Sequence, residues 1–115
     1  MWAGLNEARE AYDLGDYETA LKEYRPLAEQ GNAFAQGVLG SMYWSGRGVP
    51  KDYKQAIKWY RLAAEQGNAG AQSYLGWSYA NGLGVPQDNQ QAIKWFRLSA
   101  EQGFALAQGM LGTMY

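Results

Sequence analysis

The sequence repeats itself with a period of 36 residues, and this period constrains the fold more than any other feature. Residues 33–68 and 69–104 align without a gap and are identical at 22 of 36 positions. A variant copy occupies residues 1–32, and an incomplete copy occupies residues 105–115. Units of this length stack side by side, because none of them can bury its apolar face alone. The sequence therefore predicts one domain, residues 1–115, built from these four units.

Each full unit is predicted to form two helices joined by a glycine-rich loop. In the second unit helix A covers about residues 34–45 and helix B about residues 53–66, and the other units have copies of both. Asp52 and Asp88 each precede a glutamine by three residues, which is the spacing of a capping box at the start of helix B. Gly67 and its copies are expected to end helix B in a left-handed conformation.

The apolar pattern divides core positions from surface positions on both helices. Gly40 recurs as Gly76 and Gly112, and because a glycine weakens a helix by up to ~1 kcal/mol, its repetition predicts a closely packed neighbouring helix. Pro26 lies inside the first helix B and is expected to kink this helix or to end its regular part. The predicted core faces consist of Ala56, Trp59, Tyr60 and Ala63 on helix B, and of Ala35, Gln36, Leu39 and Tyr43 on helix A.

The opposite face of helix A varies from unit to unit while the core face repeats. Variable residues on a repeated scaffold are where ligand contacts are expected, and large aromatic side chains are favoured as binding anchors. The alternative is that these aromatic side chains simply pack between the stacked helices. The candidate partner-binding residues are Asn6, Glu10, Asp13, Phe34, Ser41, Trp44, Ser73, Trp77 and Asn81.

Two missing residue types narrow the possible chemistry. The chain has no cysteine, which excludes disulfides and thiolate sites, and no histidine, which excludes the Ser-His-Asp triad and the usual zinc ligands. Asp52, Glu65 and their copies recur in register, which fits helix caps and solvated helix ends better than an acid–base pair. Gly46 and Gly48 fit a turn rather than a phosphate loop, since no strand precedes them. The sequence thus predicts no catalytic, cofactor or metal site.

The charge of the chain is nearly balanced but unevenly distributed. A net charge of −1 gives no electrostatic reason to expect nucleic acid as a partner, and no apolar run is long enough for a membrane span. Residues 1–32 carry a net −4, whereas residues 33–68 carry a net +3. This asymmetry could orient a partner or favour head-to-tail self-association, and it also fits ordinary solvated helix faces.

These motifs resemble the Sel-one-like repeat family, a relative of the tetratricopeptide repeat. The residues that carry the resemblance begin AFAQGVLGSMYWSGRGVPKD at Ala33 and continue through an A-x-x-W helix to AAEQG at Gly67. The resemblance covers roughly residues 16–115. The connection at Gly15 and Asp16 is shorter than in the other units and is more like that of a tetratricopeptide unit.

The resemblance implies an all-α, right-handed solenoid of antiparallel helix pairs. Helix A residues would line a concave surface that binds a protein or a peptide, and the chain would act as a non-catalytic adaptor without a cofactor. Many bacterial members of the family are exported, and the first residues resemble the mature N-termini of such proteins. The resemblance therefore favours a periplasmic or secreted protein over a cytoplasmic one.

The last helix A leaves three alternatives open. Its apolar residues include Leu106, Met110 and Leu111, whereas terminal copies of a solenoid normally present a polar outer face. The helix can act as a half-unit cap, the chain can be a piece of a longer array, or two chains can join as a homodimer through this helix. The last case gives the second hypothesis for function, a structural module that assembles through its terminal helix.

The division into core and ligand-facing aromatics gives a prediction on four tryptophans. Trp44→Ala and Trp77→Ala should weaken partner binding, because both residues lie on the variable face of helix A. The same variants should cost less stability than Trp59→Ala or Trp95→Ala, which remove core residues. Thermal melting of the four variants checks this, and an equal loss of stability in all four would contradict the division.

Overall fold

The computed structural model describes residues 4–114, which form α-helices and no strand. Helix A is represented by the odd-numbered elements and helix B by the even-numbered ones. Each helix packs against the next along the chain, and α3 also contacts α5. The predicted all-α solenoid is thus confirmed. The helices are α1 (Leu5–Asp13), α2 (Tyr17–Glu29), α3 (Ala33–Ser45), α4 (Tyr53–Glu65), α5 (Ala69–Asn81), α6 (Asn89–Glu101) and α7 (Ala105–Met114).

Short polar side chains fix where the helices begin. Asp52 Oδ1 accepts the backbone N–H of Gln55 at 3.2 Å, and Asp16 and Asp88 cap α2 and α6 in the same way. An asparagine caps α3 and α5. The aspartate half of the predicted capping box is therefore correct. The glutamine half does not form, because the N–H of Asp52 already donates to the Tyr43 carbonyl at 2.9 Å.

Glycines end the helix B segments as predicted, but Pro26 does not. Gly67 and Gly103 follow α4 and α6 with φ of +95° and +84°, a left-handed conformation that costs glycine little. The expectation that Pro26 ends its helix is wrong, because α2 continues to Glu29. Pro26 lies in the last turn, so it removes only one helical hydrogen bond, and the buried Leu27 holds that turn against the core.

Aromatic rings of helix B lie directly on the glycines of helix A. A Cβ atom at Gly40 would lie 2.8 Å from the Tyr60 ring, and one at Gly76 would lie 2.8 Å from the Phe96 ring. The predicted close packing is therefore confirmed at both positions. At Gly112 nothing lies within 4 Å, because no helix B ring packs on α7 in the described part of the chain.

Glutamine side chains connect each unit to the preceding one. Gln36 Nε2 donates to the Ala28 carbonyl at 3.1 Å. Gln66 Nε2 donates to the Gly31 carbonyl at 3.0 Å and to Gln36 Oε1 at 2.8 Å. Gln72 and Gln102 repeat the arrangement one unit later. The Ala28 and Ala64 carbonyls also accept the backbone N–H groups of Gly31 and Gly67, so the glutamines give them a second hydrogen bond. The Gly31 and Gly67 carbonyls, in the turn after helix B, accept from Gln66 and Gln102.

The core runs along the junctions between units. Trp59 packs with buried residues of α1, α2 and α3, whereas Trp95 packs with those of α4 and α5. Their exposed fractions are 5% and 6%, so both belong to the core as predicted. Within residues 4–114, no helix is long and apolar enough to cross a membrane.

The contact between Gly40 and Tyr60 predicts opposite effects for two alanine substitutions on one helix. Gly40→Ala should destabilise the protein by about 1–3 kcal/mol, because the new methyl group overlaps a ring that cannot move away. Gly37→Ala should leave stability unchanged or raise it by up to ~1 kcal/mol, because its Cβ meets open space. Urea unfolding measures both, and equal stabilities would contradict the role assigned to the ring.

Candidate functional site

Two neighbouring cavities open along the helix A face. Cavity 1 has a volume of about 470 Å³, and cavity 2 a volume of about 310 Å³. Cavity 1 is lined by residues of α1 to α5 and by Asn68, and the side chains used below are Arg9, Tyr12, Asp13, Tyr24, Phe34, Ser41, Tyr60 and Tyr74. Cavity 2 is lined by Trp44, Ser73, Tyr74, Trp77, Phe96, Phe104, Leu106 and Met110. Tyr74 lines both cavities and therefore separates them.

Tyr74 is held in an aromatic cluster formed with Trp44, Tyr53 and Tyr60. The rings of Tyr60 and Tyr74 are stacked, with centroids 4.6 Å apart and an interplanar angle of 4°. The edge of Trp44 meets the rings of Tyr53 and Tyr74 at centroid distances of 4.8 Å and 5.4 Å. These contacts fix the ridge between the cavities while leaving 41% of Tyr74 exposed.

Phe34 forms part of the wall of cavity 1 at the boundary between the first two units. Its ring is 44% exposed and lies 6.2 Å from the Tyr24 ring. The Arg9 guanidinium is 5.2 Å from the Phe34 centroid, a cation–π contact that connects α1 to α3. An aromatic ring held on one side and open on the other is suited to contact a ligand.

The structure brings six of the nine candidate residues to the two cavities. Asp13, Phe34 and Ser41 line cavity 1, whereas Trp44, Ser73 and Trp77 line cavity 2. Trp77 is 40% exposed, whereas Trp44 is half-buried in the aromatic cluster and therefore also serves the packing.

One of these six residues needs correction, and the other three candidates lie outside the cavities. Ser73 was expected on the open face but is only 4% exposed, because this small side chain lies beneath the larger residues of cavity 2. Asn81 is exposed, but its side-chain amide donates to the Trp77 carbonyl of its own helix at 2.9 Å. Asn6 and Glu10 are exposed on α1 and line neither cavity.

Sequence reasoning missed several residues of the two cavities. Tyr74 occupies the position of Val38 in the preceding unit, so its variation between units was a usable signal. Tyr60 was assigned to the core alone, yet it also lines cavity 1. Phe104 and Met110 reach cavity 2 from α7 and the turn before it, which no pattern within a single unit reveals.

The hydroxyl group of Tyr60 forms no hydrogen bond of good geometry among the described residues, although Ser41 lies beside it and the residue is only 2% exposed. Burial raises the pKa of Tyr60 far above its ordinary value, and the nearby Tyr74 raises it further. Burial also raises the pKa of Tyr24, although the adjacent Arg9 opposes this shift. Both phenols are therefore neutral at physiological pH. The equivalent position in the next unit is Phe96, which shows that the packing requires the ring and not the hydroxyl.

The two cavities offer aromatic and apolar groups and few charges. Helices α3, α5 and α7 contain no Asp, Glu, Lys or Arg, so three of the four A helices are uncharged. In the described part of the chain, no cluster of carboxylates has the geometry to hold a metal ion. Aromatic rings, apolar walls and single polar groups are the features that such a face offers to a partner.

An array of helical hairpins with a variable aromatic face defines a helical-repeat protein of the tetratricopeptide type. The model of the Sel1 repeat matches residues 33–68 and 69–104, and the chain belongs to this family. Proteins of this family generally act in protein–protein interaction and are typically non-catalytic scaffolds. No curated protein matches the chain.

Two solved bacterial structures are similar to the chain over nearly its whole length. A Sel1 repeat protein from Oxalobacter formigenes is 39% identical, with a TM-score of 0.89 over 94% of this chain. A protective antigen of uropathogenic Escherichia coli that displays an SLR fold is 36% identical, with a TM-score of 0.86 over 98% of this chain. The chain spans 44% and 27% of the lengths of these two proteins.

The buried hydroxyl of Tyr60 leads to a prediction for Tyr60→Phe. At pH 7 the variant should be as stable as the wild type or more stable by up to ~1 kcal/mol, because an unpaired buried polar group is removed. Above pH 10, unfolded Tyr60 releases its proton but folded Tyr60 retains it, so wild-type stability falls as the pH rises. The variant lacks this loss and should gain about 1 kcal/mol relative to the wild type between pH 8 and pH 11.

Urea unfolding at pH 7, 8 and 11 measures both effects of Tyr60→Phe. Tyr53→Phe is a control, because it removes a hydroxyl from the same aromatic cluster at a partly exposed position. A loss of stability at pH 7 in Tyr60→Phe would show that the hydroxyl has a partner in the folded protein.

Proposed function

We propose that this chain is a non-catalytic scaffold that binds a segment of another protein along the helix A face. The observation that carries the proposal is the exposure of large aromatic side chains at two adjoining cavities. Phe34, Tyr74 and Trp77 are 44%, 41% and 40% exposed, and all three lie on the same helix type. Soluble proteins rarely leave such side chains together in water unless a partner covers them.

The division of labour between the two helix types supports the same function. Helix B supplies the rings that pack on the helix A glycines, and its outer face carries most of the charged residues of the later units. These rings fix the core side of helix A, so the exposed positions on its other side, such as Phe34 and Trp77, are less constrained by packing. A non-catalytic scaffold needs only this variable side of helix A to bind a partner.

Photo-crosslinking in cells that produce the protein tests the proposal. A photoreactive amino acid at Phe34 should give a discrete covalent adduct with a partner protein, because Phe34 faces cavity 1. The same amino acid at Leu98 is the matched control, since Leu98 is 38% exposed but lies on helix B. Adding Trp77→Ala should reduce the Phe34 adduct by about tenfold or more if Trp77 is an anchor. Equal adducts from Phe34 and Leu98 would contradict the proposal.

Self-assembly through α7 is a second candidate function, and one observation favours it. Leu106 is 63% exposed, which is unusual for a leucine in the wall of a cavity. A second copy that covers this residue would complete cavity 2. Light scattering over a range of concentrations should then show a dimer that Leu106→Glu dissociates, and a monomer at all concentrations would exclude this function.

A further inference from the structure

The charges of the helix A face are concentrated at one end. Helices α3, α5 and α7 contain no charged residue, whereas α1 contains Glu7, Arg9, Glu10 and Asp13. Because α1 comes first in the stack, a ligand lying along the face would meet charged groups only beside the first unit. The helix A face therefore has a charged end beside α1 and an uncharged end beside α7.

The basic side chains near this end are occupied, but the acidic ones are not. The Arg9 guanidinium lies over the Phe34 ring at 5.2 Å, and Arg47 donates to the Tyr12 hydroxyl at 3.1 Å. Within residues 4–114, neither Glu10 nor Asp13 forms an ion pair, and both are exposed. Both arginines keep their charge in these contacts, whereas Glu10 and Asp13 are the charged side chains of this end that no neighbouring group among the described residues engages.

A second observation shows that cavity 1 itself can receive a polar group. Asp13 and Tyr60 both line this cavity, and the hydroxyl of the buried Tyr60 forms no hydrogen bond of good geometry among the described residues. Ser41 and Tyr74 lie beside that hydroxyl. The hydroxyl oxygen is covered, so a ligand group that displaces the Ser41 or Tyr74 side chain would supply the missing hydrogen bond, which a purely apolar ligand would not do.

We propose that the segment bound along helix A is bipartite, with lysine or arginine at the end that lies beside α1 and uncharged apolar or aromatic residues along α3, α5 and α7. This inference rests on the proposed function and adds the chemistry and direction of the ligand. The basic end meets Asp13 in the wall of cavity 1 and Glu10, which is exposed outside the cavity three residues earlier on α1, and the apolar end meets Tyr74, Trp77 and cavity 2. Charge complementarity of this kind orients a peptide and speeds its association.

The dimensions of the molecule set the length of the probe. Its longest extent is 42 Å, and an extended peptide covers about 3.4 Å per residue, so about 12 residues suffice to follow the face. A phage library of random dodecapeptides can thus be selected on the purified full chain. Selection from such a library reports ligand preference without any knowledge of the natural partner.

Three forms of the protein are compared in the selection. The first is the wild type, and the second is the double variant Glu10→Gln and Asp13→Asn, which neutralises the charged end of the face. The third is the matched control Glu29→Gln and Glu65→Gln, which removes the same charge from exposed positions at the ends of α2 and α4. Circular dichroism and thermal melting establish that all three are folded.

The wild type and the control should enrich peptides with basic residues at one end and aromatic or aliphatic residues at the other. The Glu10/Asp13 variant should keep the apolar preference and lose the basic one. The best wild-type peptide should bind this variant about three- to tenfold more weakly, and its affinity should no longer fall when the salt concentration is raised.

The outcomes separate this inference from the proposed function. If no peptide is enriched on the wild type, both are overturned. If peptides are enriched without a basic end, or if the basic preference survives in the Glu10/Asp13 variant, only the bipartite ligand is overturned. Enrichment of acidic peptides would also overturn it, because Arg9 rather than the carboxylates would then govern binding.

Discussion

The contact between a helix A glycine and a helix B ring determines the rest of the architecture. Tyr60 on Gly40 and Phe96 on Gly76 bring the two helices of a unit closer than any side chain on helix A would permit. Since the ring occupies that side of helix A, the helix can present only its remaining side to a partner. The close contact of Tyr60 with Gly40 also places the Tyr60 ring where it stacks on Tyr74 and lines cavity 1. The Tyr60 ring has two roles, because it packs on the Gly40 backbone and also forms a wall of cavity 1.

Much of the fold was predictable because its determinants are local and repeated. Aspartate caps, left-handed glycines and the spacing of apolar residues act within a few positions, and two aligned units show each of them twice. The expectation that Pro26 ends the regular part of its helix is wrong because the decisive factor lies outside that helix. Residues after Pro26 are buried against neighbouring helices, and their burial outweighs the loss of one backbone hydrogen bond. The Gln55 half of the capping box does not form for a similar reason, since the N–H of Asp52 already donates to the Tyr43 carbonyl of α3.

The candidate site was predictable only in outline. Comparing units identified Phe34 and Trp77, because a residue that varies on a repeated scaffold is visible in the sequence itself. The burial of Ser73 and the position of Tyr74 between two cavities depend on how neighbouring helices cross, which no single helix pattern contains. The free hydroxyl of Tyr60 was equally inaccessible, since the sequence does not show whether a buried polar group finds a partner.

The glutamine bonds between units have a consequence for how such chains change length. Gln36 and Gln66 donate to carbonyls in the last turn of α2 and just after it, and Gln72 and Gln102 do the same at α4, so the two junctions are chemically interchangeable. Tandem duplication or excision of 36 residues would therefore rebuild the same set of glutamine bonds at the new junction. An insertion of any other size across the junction would break this match. Selection can thus lengthen or shorten the array by whole units of 36 residues, and each unit adds or removes one variable helix of the helix A face.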